Sequence, residues 1–377
     1  MTKDKPLFTP GPLTTSPSVK QAMLRDLGSR DSAFIDAVAR IRAGLLELAE
    51  VSQEGGWEAV LIQGSGTFGV EAVVSSAIPA DGALLVVSNG AYGARIARMA
   101  EVHGITVVLV ECPEDRPPDP EAVERVLAAT PEVTHVALVH CETTTGMVNP
   151  VAEIGAAARR HGKPLILDSM SAFGAVEIDL EQCAVDFLVS SANKCIEGVP
   201  GFSFALARRA LLEACEGRAR SLSLDLHAQW RGLEQNGQFR FTPPTHVILA
   251  FEQALEELRQ EGGVRGRAAR YQHNHACLVE GMRALGFEEY LPEELQGYII
   301  TSFRYPSAPA FVFEEFYDRL NDHGFVIYPG KVSNAECFRI GSIGRLFEED
   351  VRGLLSAIET VLSEMELDLR APVSEQP

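Results

Sequence analysis

The sequence predicts an α/β protein on a mostly parallel sheet, with a smaller α+β part towards its C-terminal end. Three observations carry that reading. Between residues 59 and 207, short apolar runs alternate with helical stretches, the order needed for a parallel sheet covered on both faces. Two of those runs end in reactive groups: 164–167 closes on Asp168, and 185–189 is followed by Ser190, Ser191, Asn193 and Lys194. Open α/β sheets bind ligands outside the carboxyl ends of their strands. Finally, 377 residues with 46% hydrophobic and 23% charged content are enough for two ordinary cores.

Taken in order, residues 6–17 hold four prolines and one glycine, so they read as an extended arm. Leu7, Phe8 and Leu13 give that arm something to bury. Ser18 opens a predicted helix to Leu27 with Val19, Met23 and Leu27 on one face. The loop Gly28, Ser29, Arg30, Asp31 places a basic side chain among small residues, a candidate anion ligand. Residues 32–51 read as a long amphipathic helix. The strand 59–63 runs into Gly64, Ser65, Gly66, Thr67, Phe68 and Gly69, then into a helix over 70–78. Helix-entry N–H groups and two hydroxyls make this turn fit for a single phosphate, though it also suits a plain βα turn. It lacks both the GxGxxG spacing and a Walker lysine.

The strand 83–88 ends near Tyr92, which is flanked by glycines and is placed either to stack on a flat ring or to pack beneath the next helix. A helix over 94–103, a strand over 105–111, a helix over 120–129 and a strand over 134–140 follow. Thr143, Thr144 and Thr145 then offer hydroxyls before a helix over 151–161. Beyond Ala207 the character changes. Residues 221–242 are polar and lack sustained periodicity, as interfacial or functional segments often do. Helices are expected at 247–261, 268–285, 314–323 and 348–366. Strands are expected within 297–305 and 324–329 and at 337–341, and a frayed tail at 370–377.

The net charge of −19 argues against nucleic-acid and anionic-membrane partners, so local groups must hold any anionic ligand. Seven scattered cysteines without CxxC spacing suggest cytosolic thiols and no zinc site. The first residues lack an apolar signal core, and no apolar run has the ~20 residues of a membrane helix. A cytoplasmic enzyme is the expectation. An acid and an amine delivered to one crevice are what pyridoxal 5′-phosphate chemistry needs.

The quoted motifs resemble a family. They are LFTPGPLTTS at 7–16, GSRD at 28–31, QGSGTFGVEA at 63–72, NGAYG at 89–93, HCETTTGMVNP at 140–150, LDSMSAFGA at 167–175, SSANKCIEGVPGFSF at 190–204, FRFTPPTHV at 239–247 and CFRIGSIG at 337–344. Together they resemble the class V, fold-type I pyridoxal-phosphate aminotransferases, and within them the subgroup that acts on 2-aminoethylphosphonate with pyruvate. The resemblance spans nearly the whole chain. It implies an arm over 1–17, a large cofactor-binding domain over 18–255 and a small domain over 256–377. It implies that Lys194 forms the Schiff base and moves the proton, and that Asp168 pairs with the pyridinium nitrogen. Ser65, Gly66 and Thr67 would hold the cofactor phosphate, with Asn193 assisting and Thr242 contributed by a second subunit. Tyr92 would stack on the ring and Thr143 face its phenolic oxygen. Arg339 would take the substrate carboxylate. For the phosphonate the expectation is Arg339 assisted by Ser29 or Arg30, with Arg240 a further candidate. Asn193 departs from the Gln or His that many relatives carry before the lysine. A homodimer with shared sites follows, the arm clasping the partner. The rival substrates are those of alanine–glyoxylate and serine–pyruvate transamination; the rival chemistry is a pyridoxal-phosphate lyase.

Overall fold

The computed structural model describes residues 4–370. Its main sheet has seven strands: β1 (Trp57–Gln63), β2 (Ala83–Ser88), β3 (Thr106–Glu111), β4 (Val133–Val139), β5 (Leu165–Asp168), β6 (Val185–Ser191) and β7 (Phe202–Arg208). They lie in the order β1-β7-β6-β5-β4-β2-β3. The five strands from β6 to β3 are parallel; β7 runs antiparallel to both β1 and β6. β2, β4 and β5 are buried along their whole length apart from one residue of β4, which is why they read as unbroken apolar runs.

Helices cover this sheet: α1 (Pro17–Ala22), α2 (Ser32–Leu48), α3 (Gly66–Ala77), α4 (Ala91–Val102), α5 (Pro120–Ala129), α6 (Val151–Arg160), α7 (Arg209–Ala214), α8 (Leu226–Asn236) and α9 (Thr245–Gln260). A single core extends through them from Val19 to Leu258. After α10 (Gly263–Ala284) comes a three-stranded antiparallel sheet of β8 (Ile300–Arg304), β9 (Tyr328–Pro329) and β10 (Cys337–Gly341), ordered β8-β10-β9. With α11 (Phe313–Asp322) and α12 (Glu348–Glu364) it encloses a second core rich in phenylalanine, where Phe338 meets Phe287, Phe303 and Phe313.

Several sequence expectations change. The first helix is capped by Ser16 rather than Ser18 and stops at Ala22; Leu24 is 85% exposed, so no apolar face carries it on to Leu27. The segment 221–242 contains α8, capped by Asp225 and ended by Gly237 in the left-handed region. Its buried stripe of Leu226, Gln229, Trp230 and Leu233 is helical in spacing, but Gln229 interrupts its apolar character and donates instead to the Leu61 carbonyl. The strand expected over 324–329 is only Tyr328–Pro329. Within its own chain the arm packs on the second core. Leu7 bridges Val326, Phe8 is fully buried in the second core, and the Gly341 N–H donates to the Phe8 carbonyl. The tail expected at 370–377 lies, beyond residue 370, outside the described residues.

Candidate active site

The carboxyl ends of β5 and β6 fix the two central groups. Asp168 is the last residue of β5 and pairs in register with Val189 of β6. Lys194 follows the end of β6 in a turn. Both line a cavity of about 510 Å3 together with Ser65, Gly66, Thr67, Tyr92, Thr143, Asn193 and Arg339. Nine residues singled out from sequence thus converge, drawn from both parts of the chain.

Burial pushes the Asp168 carboxyl up to about 6, the charge of Glu142 adds to this, and the Met170 N–H, donating at 3.0 Å, partly offsets it. Burial also lowers the Lys194 amine, against the opposing influence of Tyr92, Cys195 and Asp168. A carboxyl that burial alone makes reluctant to ionise is stabilised as a carboxylate by a cation set against it. A desolvated lysine has more of the free amine that a nucleophile or base requires.

The floor of the cavity is the start of α3, four residues earlier than the sequence suggested. Ser65 stands at the N-cap but makes no side-chain cap bond. The first N–H groups of a helix have no intrahelical partner, so this end and the Ser65 and Thr67 hydroxyls form an anion seat. Space there depends on Gly66, where a Cβ would fall 2.1 Å from the Met170 Sδ. Tyr92 lies in the first turn of α4 rather than in a loop before it. Burial by itself would raise its phenol. The hydrogen bond with Thr143 and the charges of Lys331, Lys194 and Arg339 hold it below its ordinary value.

Arg339, on β10, is almost fully buried; its Nε donates to the Pro329 carbonyl at 2.9 Å and its Nη1 to the Thr143 carbonyl at 2.7 Å. Asn193 accepts from the Ser191 hydroxyl through Oδ1 at 3.1 Å. Ser29, Arg30 and Thr242 do not line this chain's cavity. Arg30 and Thr242 are exposed, and the Thr242 carbonyl accepts from Gln63. Arg240 is also outside; its Nη1 donates to the Leu222 carbonyl. A larger groove of about 1050 Å3 lies between α2 and α9, lined by Ile41, Leu249 and Leu255 among others, away from Lys194.

Sequence reasoning missed several residues that shape the site. Arg95 and Lys331 line the cavity and stand over the Tyr92 ring at 4.8 and 4.4 Å from its centroid. Arg95 also reaches the Thr67 hydroxyl at 3.5 Å. Glu142, fully buried, accepts from the Tyr92 N–H and from both the N–H and hydroxyl of Thr144, tying α4 to the threonine turn. Behind Lys194, Glu197 accepts from Arg270 at 2.7 Å and Tyr271 at 2.6 Å, while Arg267 donates to the Cys195 carbonyl. This network pins the lysine turn to α10.

Pyridoxal phosphate makes a demand at each of its three ends. An uncapped helix start with two hydroxyls suits its phosphate, the buried Asp168 suits its pyridine nitrogen, and Lys194 suits its aldehyde. The residues fit the group.

Comparison with known proteins agrees. The family model described as aminotransferase class-V matches residues 18–323. A protein named 2-aminoethylphosphonate–pyruvate transaminase from Salmonella paratyphi B is 54% identical over 358 residues, covering 94% of this chain and 97% of its own. Among solved structures, an alanine–glyoxylate aminotransferase from Nostoc sp. superposes with a TM-score of 0.89 at 26% identity, covering 96% of each chain. A ureidoglycine–glyoxylate aminotransferase from Bacillus subtilis has the same TM-score at 24% identity, covering 97% of this chain and 95% of its own, and bears on the fold alone. The sheet order, the convergent cavity and these matches lead to one conclusion: the chain belongs to the class-V aminotransferases, enzymes of the fold-type I pyridoxal-phosphate architecture.

Proposed function

We propose that this protein transfers the amino group of 2-aminoethylphosphonate to pyruvate, giving phosphonoacetaldehyde and L-alanine. The observation that carries the substrate is the 54% identity, over 94% of the chain, to a relative named for that reaction. The observation that carries the chemistry is the meeting of Lys194, Asp168, the α3 start and Arg339 at one cavity.

When bound, pyridoxal phosphate supplies an aldehyde carbon that takes up the substrate amine and a ring that accepts electrons as the neighbouring C–H bond breaks. Lys194 would hold the aldehyde. Its Nζ would take the proton from the substrate carbon that bears nitrogen, and would return one to the corresponding carbon of pyruvate. Asp168 would pair with the ring nitrogen and keep it protonated. Ser65, Gly66 and Thr67, with Asn193 and Arg95, would seat the phosphate. Tyr92 would offer its face to the ring and Thr143 its hydroxyl to the phenolic oxygen. Arg339 has its Nη2 free of the two backbone contacts and offers it to the substrate's acid group.

Ser29, Arg30 and Thr242 serve the site of a second subunit in a homodimer; their position outside this chain's own cavity supports that assignment. The two cores support a division near residue 256, with the arm's Phe8 joined to the second. Seven free cysteines support a cytoplasmic setting. Among the described residues, no helix is long and apolar enough to cross a membrane.

The test is alanine formation from pyruvate by the cofactor-loaded protein, with 2-aminoethylphosphonate, serine and glycine as competing amine donors. Fast, stoichiometric alanine from the phosphonate is expected. Alanine from serine and none from the phosphonate overturns the substrate. Consumption of the amine without alanine overturns transamination in favour of a lyase.

A further inference from the structure

The proposed substrate sets a charge problem. By analogy with a phosphate ester, its phosphonate carries about −1.5 to −2 at neutral pH, in a protein of net charge −19. Arg339 supplies one positive charge and has already committed Nε and Nη1 to backbone carbonyls. Arg240 does not line the chain's cavity, and Ser29 and Arg30 are outside it too, so within one subunit they leave that charge unmet. Two further cations do, and they divide by position. Arg95 belongs to the α3 end, beside the Thr67 hydroxyl. Lys331 comes from the C-terminal part of the chain. It follows Gly330 in the turn after β9, whose Tyr328 pairs with Arg339 of β10, and its Nζ lies over the Tyr92 ring at 4.4 Å. Among the described residues Lys331 has no carboxylate within ion-pair distance, unlike many of the basic side chains on this acidic surface.

We propose that Lys331 is the second phosphonate-binding cation that a subunit supplies to its own cavity and the residue that favours a dianionic phosphonate over a carboxylate; this rests on the substrate assigned above. A carboxylate is satisfied by one guanidinium fork. A phosphonate has a third oxygen and more charge, and an ammonium on a flexible stem, with three rotatable donors, can meet it. Lys331 leaves the face of Tyr92 to do so, exchanging a cation–π contact for a charge-assisted hydrogen bond, the stronger of the two. Alanine, which has only a carboxylate, has no use for it.

The experiment uses cofactor-loaded wild type, Lys331→Met and Lys331→Arg. Each is titrated with 2-aminoethylphosphonate alone and with L-alanine alone, following cofactor absorbance. Binding of ethylphosphonate, which has no amine to react, is measured by calorimetry. In Lys331→Met the half-saturating concentration of 2-aminoethylphosphonate should rise about 10- to 100-fold, and ethylphosphonate should bind correspondingly more weakly. The alanine value should change less than about threefold, and Lys331→Arg should recover most of the loss. Equal weakening toward alanine and the phosphonate, or unchanged ethylphosphonate affinity, overturns the assignment. Failure of the underlying substrate reading looks different: wild type itself would then respond to alanine but to neither phosphonate, and the proposal falls with it.

Discussion

Gly11 lies directly against Lys194: a Cβ at position 11 would stand 2.8 Å from the lysine Nζ, which donates to the neighbouring Pro10 carbonyl. The backbone of the arm therefore touches the reactive amine directly, and the φ of +127° at Gly11 is one that side chains with a Cβ rarely adopt.

Gly11→Ala should accordingly be damaging on two counts. The φ alone costs about 1–3 kcal/mol, and the added methyl displaces Nζ. We expect transamination to fall at least about tenfold with the far-UV circular dichroism unchanged. Wild-type turnover in this variant would show that the arm can withdraw from Lys194 without consequence.

Glu142 tests how the site is held rather than what it does. It is buried and serves three donors at the start of α4 and in the threonine turn. Burial raises its carboxyl, opposed by the hydrogen bonds from Thr144 and Tyr92. Glu142→Ala strands those donors and should lower stability by about 2–4 kcal/mol in urea titrations. Glu142→Gln, which keeps an acceptor oxygen, should lose less. Equal losses would mean the cost arises from the cavity and not from the unpaired donors.

Asp168 predicts a pH effect in the cofactor-free protein. Its carboxyl is raised from the ordinary value to about 6. Between those two values the unfolded chain has released a proton that the folded chain still holds. Its contribution to stability is therefore absent as a penalty below about pH 4, falls through the window, and is fully unfavourable above about pH 6. Asp168→Asn removes the titration. The stability of the variant relative to wild type should rise by about 1–1.5 kcal/mol between pH 5 and pH 7.5. A difference that is flat with pH would place the Asp168 value near that of an exposed carboxylate.

The legible parts of this protein are those set by local pattern. Buried parallel strands announce themselves as apolar runs, so β5 and β6, and hence Asp168 and Lys194, could be placed from sequence alone. The antiparallel course of β7 could not, because direction within a sheet is decided by the connection and leaves no mark on a fully buried strand. The arm's composition was legible but its destination was not: only the fold brings Val326 and Gly341 to Leu7 and Phe8. Arg95 was hidden on a helix, three residues after Tyr92, where spacing marks it as a solvated face. Lys331 was within reach, since it follows glycine in a loop, the same signature that drew attention to Arg30. That signature finds loop cations; it cannot tell which loop meets the cavity.

Thr242 decides whether the site is shared. It is exposed at the end of a Phe-Arg-Phe-Thr stretch and does not line its own chain's cavity, so a cofactor contact requires a second copy. In a symmetric dimer each site would then combine Lys194 of one subunit with Thr242 of the other. Lys194→Ala and Thr242→Ala homodimers should each be impaired, the first by about 1000-fold or more. Unfolding and refolding an equal mixture creates hybrids. In each hybrid one site carries both substitutions and the other carries neither. About a quarter of all sites should therefore regain full activity, a recovery that neither parent shows. If Thr242 instead acts within its own subunit, every site in a hybrid retains one defect, and the mixture is no more active than the average of the parents.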